Sequence, residues 1–348
     1  MVDLEKRIEA FVKLGVFLER QLQEESNDTS AFGEIRMHAE AKNPWFTKAS
    51  VFTALKGIVA MLQKAAIEQW LAAYPFLLQE RKPKRIAVIM AGNIPMVGFH
   101  DTMTVLLSGN KLLGKLSSKD DVLLPWIMNQ LCSIEPDFND FIAFEPNIMK
   151  DFDAVIATGS NNSSRYFDYY FKKYPTIIRK NRVSVAVLTG KESASELDGL
   201  AQDMFSYFGL GCRNVSKLFV PEEFDMVKFI SHFDSYVELR NHNKYLNNYE
   251  YNKSIYLLNQ DHHYDNGYLL LREEENLFSP IAVVYFEKYR EIRNLVDWFE
   301  RNKHNIQCIV TSSNLLNTKT IEFGKSQMPN IWDYADDVDT MSFLETLN

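Results

Sequence analysis

The chain has 348 residues, of which 46% are hydrophobic and 24% are charged, and its formal net charge is −8 at pH 7. A chain of this length and balance can bury a large core and is expected to form two domains, or one large one. The acidic balance argues against a dedicated nucleic-acid binder, and three scattered cysteines exclude a disulfide framework or a four-cysteine zinc site, so no metal site is predicted.

The first 80 residues are predicted to be helical. Apolar residues recur at helical spacing from Asp3 to Glu24, and again from about Thr47 to Tyr74, where Pro75 ends the second helix. The polar stretch Ser26–Asn43 between them is predicted to be irregular. We interpret both helices as packing elements with no direct role in function.

Neither a secretory signal nor a membrane span is expected. Met1–Glu24 begins with charged residues rather than an apolar core. The longest apolar runs, such as Ile58–Leu62, fall far short of the ~20 residues that a membrane span needs. Together with cysteines that are expected to be free thiols, these features predict a cytoplasmic protein.

From residue 84 the pattern changes to alternating strands and helices, which predicts a mostly parallel sheet with covered faces. The predicted strands are Arg85–Met90, Asp153–Thr158, Ser184–Leu188, Lys217–Val220, Pro280–Phe286 and Gln307–Thr311. The predicted helices are Ser193–Phe208, which opens with a Ser193/Glu196 capping box, Phe224–Leu239 and Tyr289–Asn302. A hairpin turn is predicted at Asn266-Gly267, within the segment Ser254–Arg272.

Cys212 lies between a predicted helix and a predicted strand, flanked by Gly209 and Gly211. Only 14 glycines are present, and two of them at one cysteine predict a tight turn with close backbone approach to the thiol. A thiol placed in this way can act as a nucleophile, and nearby backbone N–H groups can stabilise an oxyanion. The alternative, a small buried hydrophobic residue, is our interpretation of Cys132 and Cys308.

Three further segments place polar groups after strands. Asn93 follows the strand that begins at Arg85, and its amide is a donor that can polarise a carbonyl. Lys115 lies near the end of a second strand. Gly159 and Ser160 end another strand and open a helix, where free N–H groups and the helix dipole could seat a phosphate. Each signal is weak alone, since a Gly-Ser pair after a strand is more often a simple turn.

The four segments in this order resemble the aldehyde dehydrogenase superfamily. The match is closest to its fatty acyl-CoA reductase branch, that of the luminescence-operon reductase and its non-luminous relatives, and it covers roughly residues 44–348. The resemblance extends to the C-terminal stretch Gln327–Met341. It implies an α/β fold with a doubly wound cofactor domain, an α/β catalytic domain that carries the cysteine, and typically an oligomerising β extension. We accordingly expect N-terminal helices with a dinucleotide-binding domain over residues 1–190, a catalytic domain over 191–320 and a C-terminal segment over 321–348.

The resemblance also implies roles for single residues. Cys212 takes the place of the nucleophile, and Asn93 that of the asparagine that stabilises the oxyanion. Lys115 matches the lysine that contacts the adenosine ribose, while Gly159 and Ser160 match the Gly-Ser pair that seats the pyrophosphate. This family needs no G-x-G-x-x-G loop, so the scarcity of glycine does not argue against a nicotinamide cofactor.

Departures from the family pattern refine the prediction. The glutamate that activates water for hydrolysis is missing from the corresponding stretch, Arg179–Ser184, which would let an acyl-enzyme persist for reduction. Ser118, followed by Lys119, stands where an acidic residue favours NAD, so NADPH is expected rather than NADH. Asn276 occupies the position of the glutamate that contacts the nicotinamide ribose.

Other candidates have weaker support. Adjacent side chains on a strand point to opposite faces, so His262 and His263 are expected to flank a solvated hairpin rather than bind metal. His100 and Asp101 could supply a proton near the site, or could simply begin a helix.

Two functions from different reaction classes remain. The first is an NADPH-dependent reductase that converts a fatty acyl-CoA to an aldehyde through a Cys212 thioester. The second is an acyl transferase or thioester carrier that uses Cys212 without a nucleotide; a non-catalytic partner subunit is a third possibility. The expected substrate is acyl-CoA or another acyl thioester, and a homo-oligomer or an acyl-transfer partner is possible.

Overall fold

The computed structural model describes residues 3–24, 28–312, 316 and 318–347. Its chain divides into two compact units. The first runs to Asn181 and includes the segment from Pro329 onward, and the second is Arg182–Met328. The units therefore change at 181/182 and 328/329, whereas the functional domains are predicted to change after residues 190 and 320.

Four helices precede the first strand: α1 (Leu4–Gln23), α2 (Ala31–Lys42), α3 (Lys48–Met61) and α4 (Lys64–Leu71). Helix α2 corrects the prediction of an irregular stretch over Ser26–Asn43, of which residues 26 and 27 lie outside the described chain. The Ser30 hydroxyl caps α2 by accepting a hydrogen bond from the Gly33 N–H at 3.0 Å. Phe32 and Ala39 are buried but Met37 is exposed, while the buried Arg36 pairs with Asp28 and Glu40. Because apolar and buried positions do not coincide, the sequence carries little helical periodicity.

Helices α3 and α4 replace the single helix predicted over Thr47–Tyr74. Their axes differ by 60° at a break around Leu62. Helix α1 packs against that break so closely that a Cβ on Gly15 would lie 2.8 Å from the Leu62 Cβ. Within the described residues no single helix is long and apolar enough to cross a membrane; α3 and α4 meet that criterion only as this bent pair, and most of their apolar residues lie in the core.

The first unit contains a parallel five-stranded sheet. Its strands are β1 (Arg85–Ile89), β2 (Lys111–Lys115), β3 (Ile142–Phe144), β4 (Ala154–Thr158) and β5 (Thr176–Arg179), in the order β3-β2-β1-β4-β5. Helices α5 (Phe99–Leu107), α6 (Leu123–Ile134) and α7 (Asn161–Tyr170) connect them. This is a doubly wound sheet whose strand order reverses between β1 and β4. The predicted strands at Arg85–Met90 and Asp153–Thr158 are confirmed, whereas the very short β3 and β5 were not predicted.

The second unit is built on a six-stranded sheet in the order β11-β6-β7-β10-β9-β8. Its strands are β6 (Val183–Val187), β7 (Val215–Pro221), β8 (Tyr264–Asp265), β9 (Leu270–Glu273), β10 (Val283–Tyr289) and β11 (Ile306–Val310). Its helices are α8 (Ala194–Phe205), α9 (Met226–Ser231), α10 (Asn243–Asn259) and α11 (Arg293–Asn302). All pairings are parallel except that of β8 with β9.

Local signals in the second unit were informative where they were specific. The capping box that opens α8 is confirmed, with the Glu196 carboxylate accepting from the Ser193 N–H at 2.8 Å. The Asn266-Gly267 turn joins β8 to β9, and Gly267 has a φ of +91°. The predicted helix Phe224–Leu239 is instead α9 followed by a 3-10 helix, His232–Asn241, and Ser254–Asn259 belongs to α10 rather than to the hairpin.

The C-terminal segment packs on the first unit through a chain of hydrogen bonds. The Trp70 indole N–H donates to the Tyr334 hydroxyl at 2.8 Å, which lies 2.8 Å from the Tyr74 hydroxyl. Tyr74 in turn donates to an Asp339 carboxylate oxygen at 2.9 Å. Because each hydroxyl accepts one hydrogen bond and donates one, the hydrogen bonds connect Trp70 to Asp339 and satisfy the donors of Trp70, Tyr334 and Tyr74.

A buried ion pair adds a second connection to this segment. The Arg179 guanidinium, at the end of β5, pairs with Asp101 of α5 and donates to the Thr340 hydroxyl at 2.8 Å. Thr340 is the first residue of helix α12 (Thr340–Glu345). His100, next to Asp101, lies with its Nε2 2.7 Å from the Ile331 carbonyl oxygen. His100 and Asp101, considered above as a proton source, therefore hold the C-terminal segment in place.

Replacing Tyr334 by Phe tests this hydrogen-bond chain. The substitution leaves the indole N–H of Trp70, which is 2% exposed, without its acceptor. We expect the free energy of unfolding, measured by urea titration, to fall by about 1–3 kcal/mol. Tyr170→Phe is the matched control, because the Tyr170 side chain is 67% exposed and its loss should change little. Equal stability of the two variants would contradict this role.

Candidate active site

In the first unit the sequence-predicted residues gather at one edge of the sheet. The carboxyl ends of β1, β2 and β4 are neighbours in the order β2-β1-β4. After these strand ends come Asn93, then Lys115 with Ser118 and Lys119, and finally Gly159 with Ser160. In doubly wound folds, ligands bind outside the carboxyl ends of the strands where the strand order reverses. The predicted cofactor residues and Asn93 therefore share the edge at which a nucleotide site is expected.

The loops after β1 and β2 approach each other closely at Gly92. A Cβ at this position would lie 2.6 Å from the Ser117 Oγ and 3.1 Å from the Lys119 Cβ. Only glycine fits there without displacing the neighbouring loop. The side chains of Asn93, Ser118 and Lys119 remain exposed beside this contact.

Asp120, which was not identified from the sequence, links the loops that follow β1 and β2. Its carboxylate accepts a hydrogen bond from the Met96 N–H at 2.7 Å, and Met96 has a left-handed φ of +57°. The side chain is 7% exposed, and its Oδ1 has no hydrogen-bond partner among the described residues. Burial raises the pKa of Asp120 to about 7. The buried Asp120 carboxyl therefore holds the loop that carries Asn93.

Lys115 lies at the end of β2 but is already engaged. Its ammonium donates to the backbone carbonyls of Pro146 and Asn147, the latter at 2.6 Å, in the loop that follows β3. The structure thus places this lysine at the predicted edge, tied to a third loop.

Gly159 and Ser160 form the turn between β4 and α7, as predicted. The Ser160 hydroxyl caps α7 by accepting from the Ser163 N–H at 3.2 Å. A Cβ on Gly159 would lie 2.9 Å from atoms of both Ser163 and Phe167. The glycine lets the strand pass directly into the helix, whose N-terminus faces the same edge as Asn93.

In the second unit, Cys212 lies in a turn with unusual backbone geometry. A 3-10 segment, Ser206–Gly209, follows α8, and three successive residues are left-handed: Tyr207 at φ +51°, Phe208 at +58° and Gly209 at +79°. Left-handed conformations are costly for aromatic residues and tend to persist at functional sites. Beside Gly209 lies a narrow cleft whose lining includes Phe205, Phe208 and Tyr245.

Asn214 locks this turn, and it too was missed from the sequence. It is 2% exposed; its Oδ1 accepts from the Gly211 N–H at 2.8 Å, and its Nδ2 donates to the carbonyls of Asp203 and Ser206 at 3.0 and 2.8 Å. The Ser184 hydroxyl donates to the Cys212 carbonyl at 3.0 Å. The backbone on both sides of the half-buried Cys212 is therefore fixed by buried polar side chains.

The segment around Asn276 is held against the strand that follows Cys212. Lys217 of β7 is fully buried, and its ammonium donates to the carbonyls of Glu274 and Glu275 at 3.0 and 2.8 Å and to the Glu287 carboxylate at 2.7 Å. The Ser216 hydroxyl donates to the Leu277 carbonyl at 3.3 Å. Asn276 itself is exposed and lines a cleft of about 460 Å³.

The other two cysteines are in different environments. Cys132 is half-buried in α6, where burial raises the pKa of its thiol. Cys308 is buried in β11, with the Arg213 Nη1 3.2 Å from its Sγ. Neither follows a run of left-handed residues like the one that precedes Cys212.

Comparisons with known proteins identify a family and a fold. Residues 34–320 match the family model described as acyl-CoA reductase (LuxC). Among curated proteins, none is detectably similar in sequence.

Among solved structures, aldehyde dehydrogenase 21 from Physcomitrella patens, in complex with the product succinate, is 12% identical with a TM-score of 0.63, covering 90% of this chain and 74% of that one. An aldehyde dehydrogenase from Bacillus cereus in complex with NAD+ is 14% identical with a TM-score of 0.61, over 89% and 72%. Indole-3-acetaldehyde dehydrogenase AldA from P. syringae, solved as a mutant with NAD+ and IAA, is 12% identical with a TM-score of 0.64, over 90% and 73%. The aldehyde dehydrogenase-like fold that the sequence predicted is confirmed.

Replacing Asp120 by Asn tests its titration in the folded protein. Asp120 takes up a proton near pH 7 when folded but near 3.8 when unfolded. Between these values the folded state binds more protons, so the free energy of unfolding falls as the pH rises, by at most about 1.4 kcal/mol per pH unit. Asp120→Asn should lack this component. Its stability relative to wild type should increase from about pH 4 to pH 7 and stay constant above, as measured by urea titration at each pH.

Asp140→Asn is the control, since this exposed carboxylate lies outside the loops that the Asp120–Met96 contact joins. It should keep the wild-type pH slope. Parallel stability curves for wild type and Asp120→Asn would show that Asp120 does not titrate in this window.

Proposed function

The chain belongs to the acyl-CoA reductase (LuxC) family, and we propose that it reduces a fatty acyl-CoA to the aldehyde with NADPH through a thioester on Cys212. The family places the chain among oxidoreductases that act on acyl or aldehyde groups. The identity of the nucleophile, the cofactor and the thioester intermediate are the parts that we propose.

The single observation that carries the proposal is the turn at Cys212. Two aromatic residues and a glycine in the left-handed region precede the half-buried Cys212, and the side chains of Asn214 and Ser184 fix the backbone on either side of it. A cysteine that served only to fill the core would need none of this. Such preorganisation is what a nucleophile requires, because a fixed position shortens the approach to the acyl carbon.

The proposed reaction proceeds by acyl transfer followed by reduction. The Cys212 sulfur, as thiolate, attacks the acyl carbon. The bond between the acyl carbon and the CoA sulfur then breaks, and CoA leaves as a thiol after taking up the proton that Cys212 lost. The Asn93 amide and the Cys212 N–H would donate to the oxyanion. The chemistry supplied by a bound nicotinamide cofactor is a hydride to the acyl carbon. The carbon–sulfur bond to Cys212 then breaks, which releases the aldehyde and restores the thiolate.

The edge described in the first unit suits a nucleotide phosphate. The α7 N-terminus opens directly after Gly159, and the helix dipole there favours a phosphate, while the Ser163 N–H is already capped by the Ser160 hydroxyl. Lys119 is exposed beside Gly92 and would offer its ammonium to a 2′-phosphate, with neutral Ser118 preceding it. These features support NADPH rather than NADH.

The missing glutamate supports reduction over hydrolysis. Arg179 stands in the stretch where a hydrolytic dehydrogenase would carry its base, and its guanidinium is buried in the pair with Asp101. A paired Asp101 is a poor base for activating water. Because all three cysteines are free, we also keep the reducing environment of the cytoplasm as the proposed location.

Two observations favour the second candidate, an acyl transferase or thioester carrier that works without a nucleotide. The Lys115 ammonium already donates to two carbonyls, and Asn276 replaces the glutamate expected at the nicotinamide ribose. Both reduce the number of groups that would hold the cofactor.

Cys212→Ala tests the nucleophile. We expect wild-type protein incubated with acyl-CoA to gain the mass of one acyl group on Cys212, and to consume NADPH when it is added. The variant should show neither, because no other thiol occupies that turn. Intact-protein mass spectrometry and nicotinamide absorbance are the measurements, with acyl-CoA of short to long chain length.

Cys308→Ala is the matched control and should keep both activities. Acyl labelling that persists in Cys212→Ala would contradict the assignment of Cys212 as the nucleophile. Labelling of wild type with no NADPH consumption, and no rise in melting temperature on NADPH addition, would favour the transferase.

Lys119→Glu tests the cofactor preference. Reversing this charge should lower kcat/KM for NADPH about tenfold or more, because an ammonium–phosphate pair is replaced by repulsion, while kcat/KM for NADH changes little. Lys56→Glu makes the same charge change on the exposed face of α3 and should leave both values unaltered. If the NADPH/NADH ratio of kcat/KM is the same in both variants, Lys119 does not select the cofactor.

A further inference from the structure

The first unit has a cleft at the opposite edge of its sheet from Asn93 and Ser160. It lies where β1 and β2 begin, next to Lys84 and Gly109, and has a volume of about 290 Å³. Because the sheet is parallel, five-residue strands separate this edge from the carboxyl ends by roughly 16 Å. The cleft is therefore distinct from the candidate nucleotide site.

Arg7 of α1 forms the inner wall of this cleft. The residue is 6% exposed, and its Nε has no hydrogen-bond partner among the described residues. Burial lowers the pKa of its guanidinium to about 10, while Asp3 has an opposing influence. Asp3 is exposed, and its carboxylate is engaged as the N-cap of α1, accepting from the Lys6 N–H at 2.9 Å. A buried guanidinium with an unused donor is costly unless an anion can reach it.

Gly109 leaves the space that this guanidinium occupies. It has a φ of +84°, and a Cβ there would lie 2.1 Å from the Arg7 Nη1. Any other residue would force the guanidinium out of the cleft wall. The backbone before β2 is thus shaped around Arg7.

Three more cations line the cleft, and none of the described residues that line it is a carboxylate. Arg81 is positioned over the Phe76 ring, 5.1 Å from its centroid, and donates to the Glu345 carbonyl at 2.7 Å. Lys84 is fixed through its backbone N–H, which donates to the Asn110 side chain at 2.9 Å. Lys82 is exposed at the rim. Four positive groups therefore converge in a chain whose net charge is −8.

We propose that this cleft binds the phosphate group of a small phosphorylated molecule, with Arg7 as its innermost ligand. A guanidinium pairs with phosphate through parallel N–H donors, and the flanking Arg81 and Lys84 balance a charge greater than one. The apolar side chains of Phe76, Leu344 and Leu347 leave room for a small organic part beside the phosphate. Because the site is separate from the proposed reaction, it can succeed or fail independently of it.

Titration calorimetry of the full chain with sodium pyrophosphate tests the proposal. Wild type should bind saturably, and Arg7→Met should weaken this binding about tenfold or more, because the buried charge-assisted contacts are lost. Lys6→Gln removes an exposed charge one residue away on the same helix and should bind like wild type. If Arg7→Met does not fold, the surface variant Arg81→Gln with Lys84→Gln should show a loss in the same direction.

Two further arms identify the site and the ligand class. Lys119→Gln, altered at the nucleotide edge, should retain the Arg7-dependent binding. The proposal is overturned if wild type does not bind pyrophosphate, if Arg7→Met or the double variant binds it as well as wild type, or if the binding disappears in Lys119→Gln instead. Octanoate is the second probe. Saturable binding of octanoate without binding of pyrophosphate would indicate that the cleft binds a fatty carboxylate, and it would overturn the assignment of a phosphate ligand.

Discussion

Three buried polar side chains of this chain form hydrogen bonds with the loops that carry the candidate catalytic groups. Asn214 shares its amide among the backbone groups around Cys212. Asp120 accepts from the loop that begins at Asn93, and the Lys217 ammonium binds the carbonyls just before Asn276. Each loop is thereby held by a group that would be costly to leave unpaired. The placement of reactive side chains depends on these interior contacts more than on the loops themselves.

This arrangement explains how a chain with few glycines can present strained turns. Tyr207 and Phe208 occupy left-handed conformations that cost free energy, and the hydrogen bonds of Asn214 oppose their relaxation. Met96 is left-handed in the same way, and its N–H is the one that Asp120 accepts. In each unit, left-handed backbone therefore occurs together with a buried side chain whose hydrogen bonds hold it: Asp120 in the first unit and Asn214 in the second. Glycine is kept for close approaches such as Gly92 and Gly159, where a side chain would collide with a neighbouring loop.

Features set by neighbouring residues could be predicted from the sequence. The strand that ends before Gly159, the capping box at Ser193 and the turn at Asn266 each have a local signature, and the structure contains all three. The fold class also followed, because motifs in a fixed order define it. Helix α2 was missed because much of its polar surface is satisfied by pairs such as Arg36 with Asp28, which no apolar periodicity reveals. The contacts of Asp120 and Lys217 join residues 24 and 57 or more positions apart, so only the folded chain shows them. Arg179 was noted only as the absence of an acid, whereas its partner Asp101 lies 78 positions earlier.

The return of the C-terminal segment to the first unit has a consequence for biosynthesis. Trp70 and Tyr74 leave the ribosome early, but their partners Tyr334 and Asp339 follow only after all of Arg182–Met328 has been translated. Until then, the apolar surface that Tyr334, Met341 and Leu344 will cover is exposed on a nascent chain. The second unit has no such dependence, because a single continuous segment, Arg182–Met328, forms it. Synthesis should therefore pass through a stage in which the later-made half is complete while the earlier-made half still awaits its last strip of core, the stage at which chaperones would be needed most.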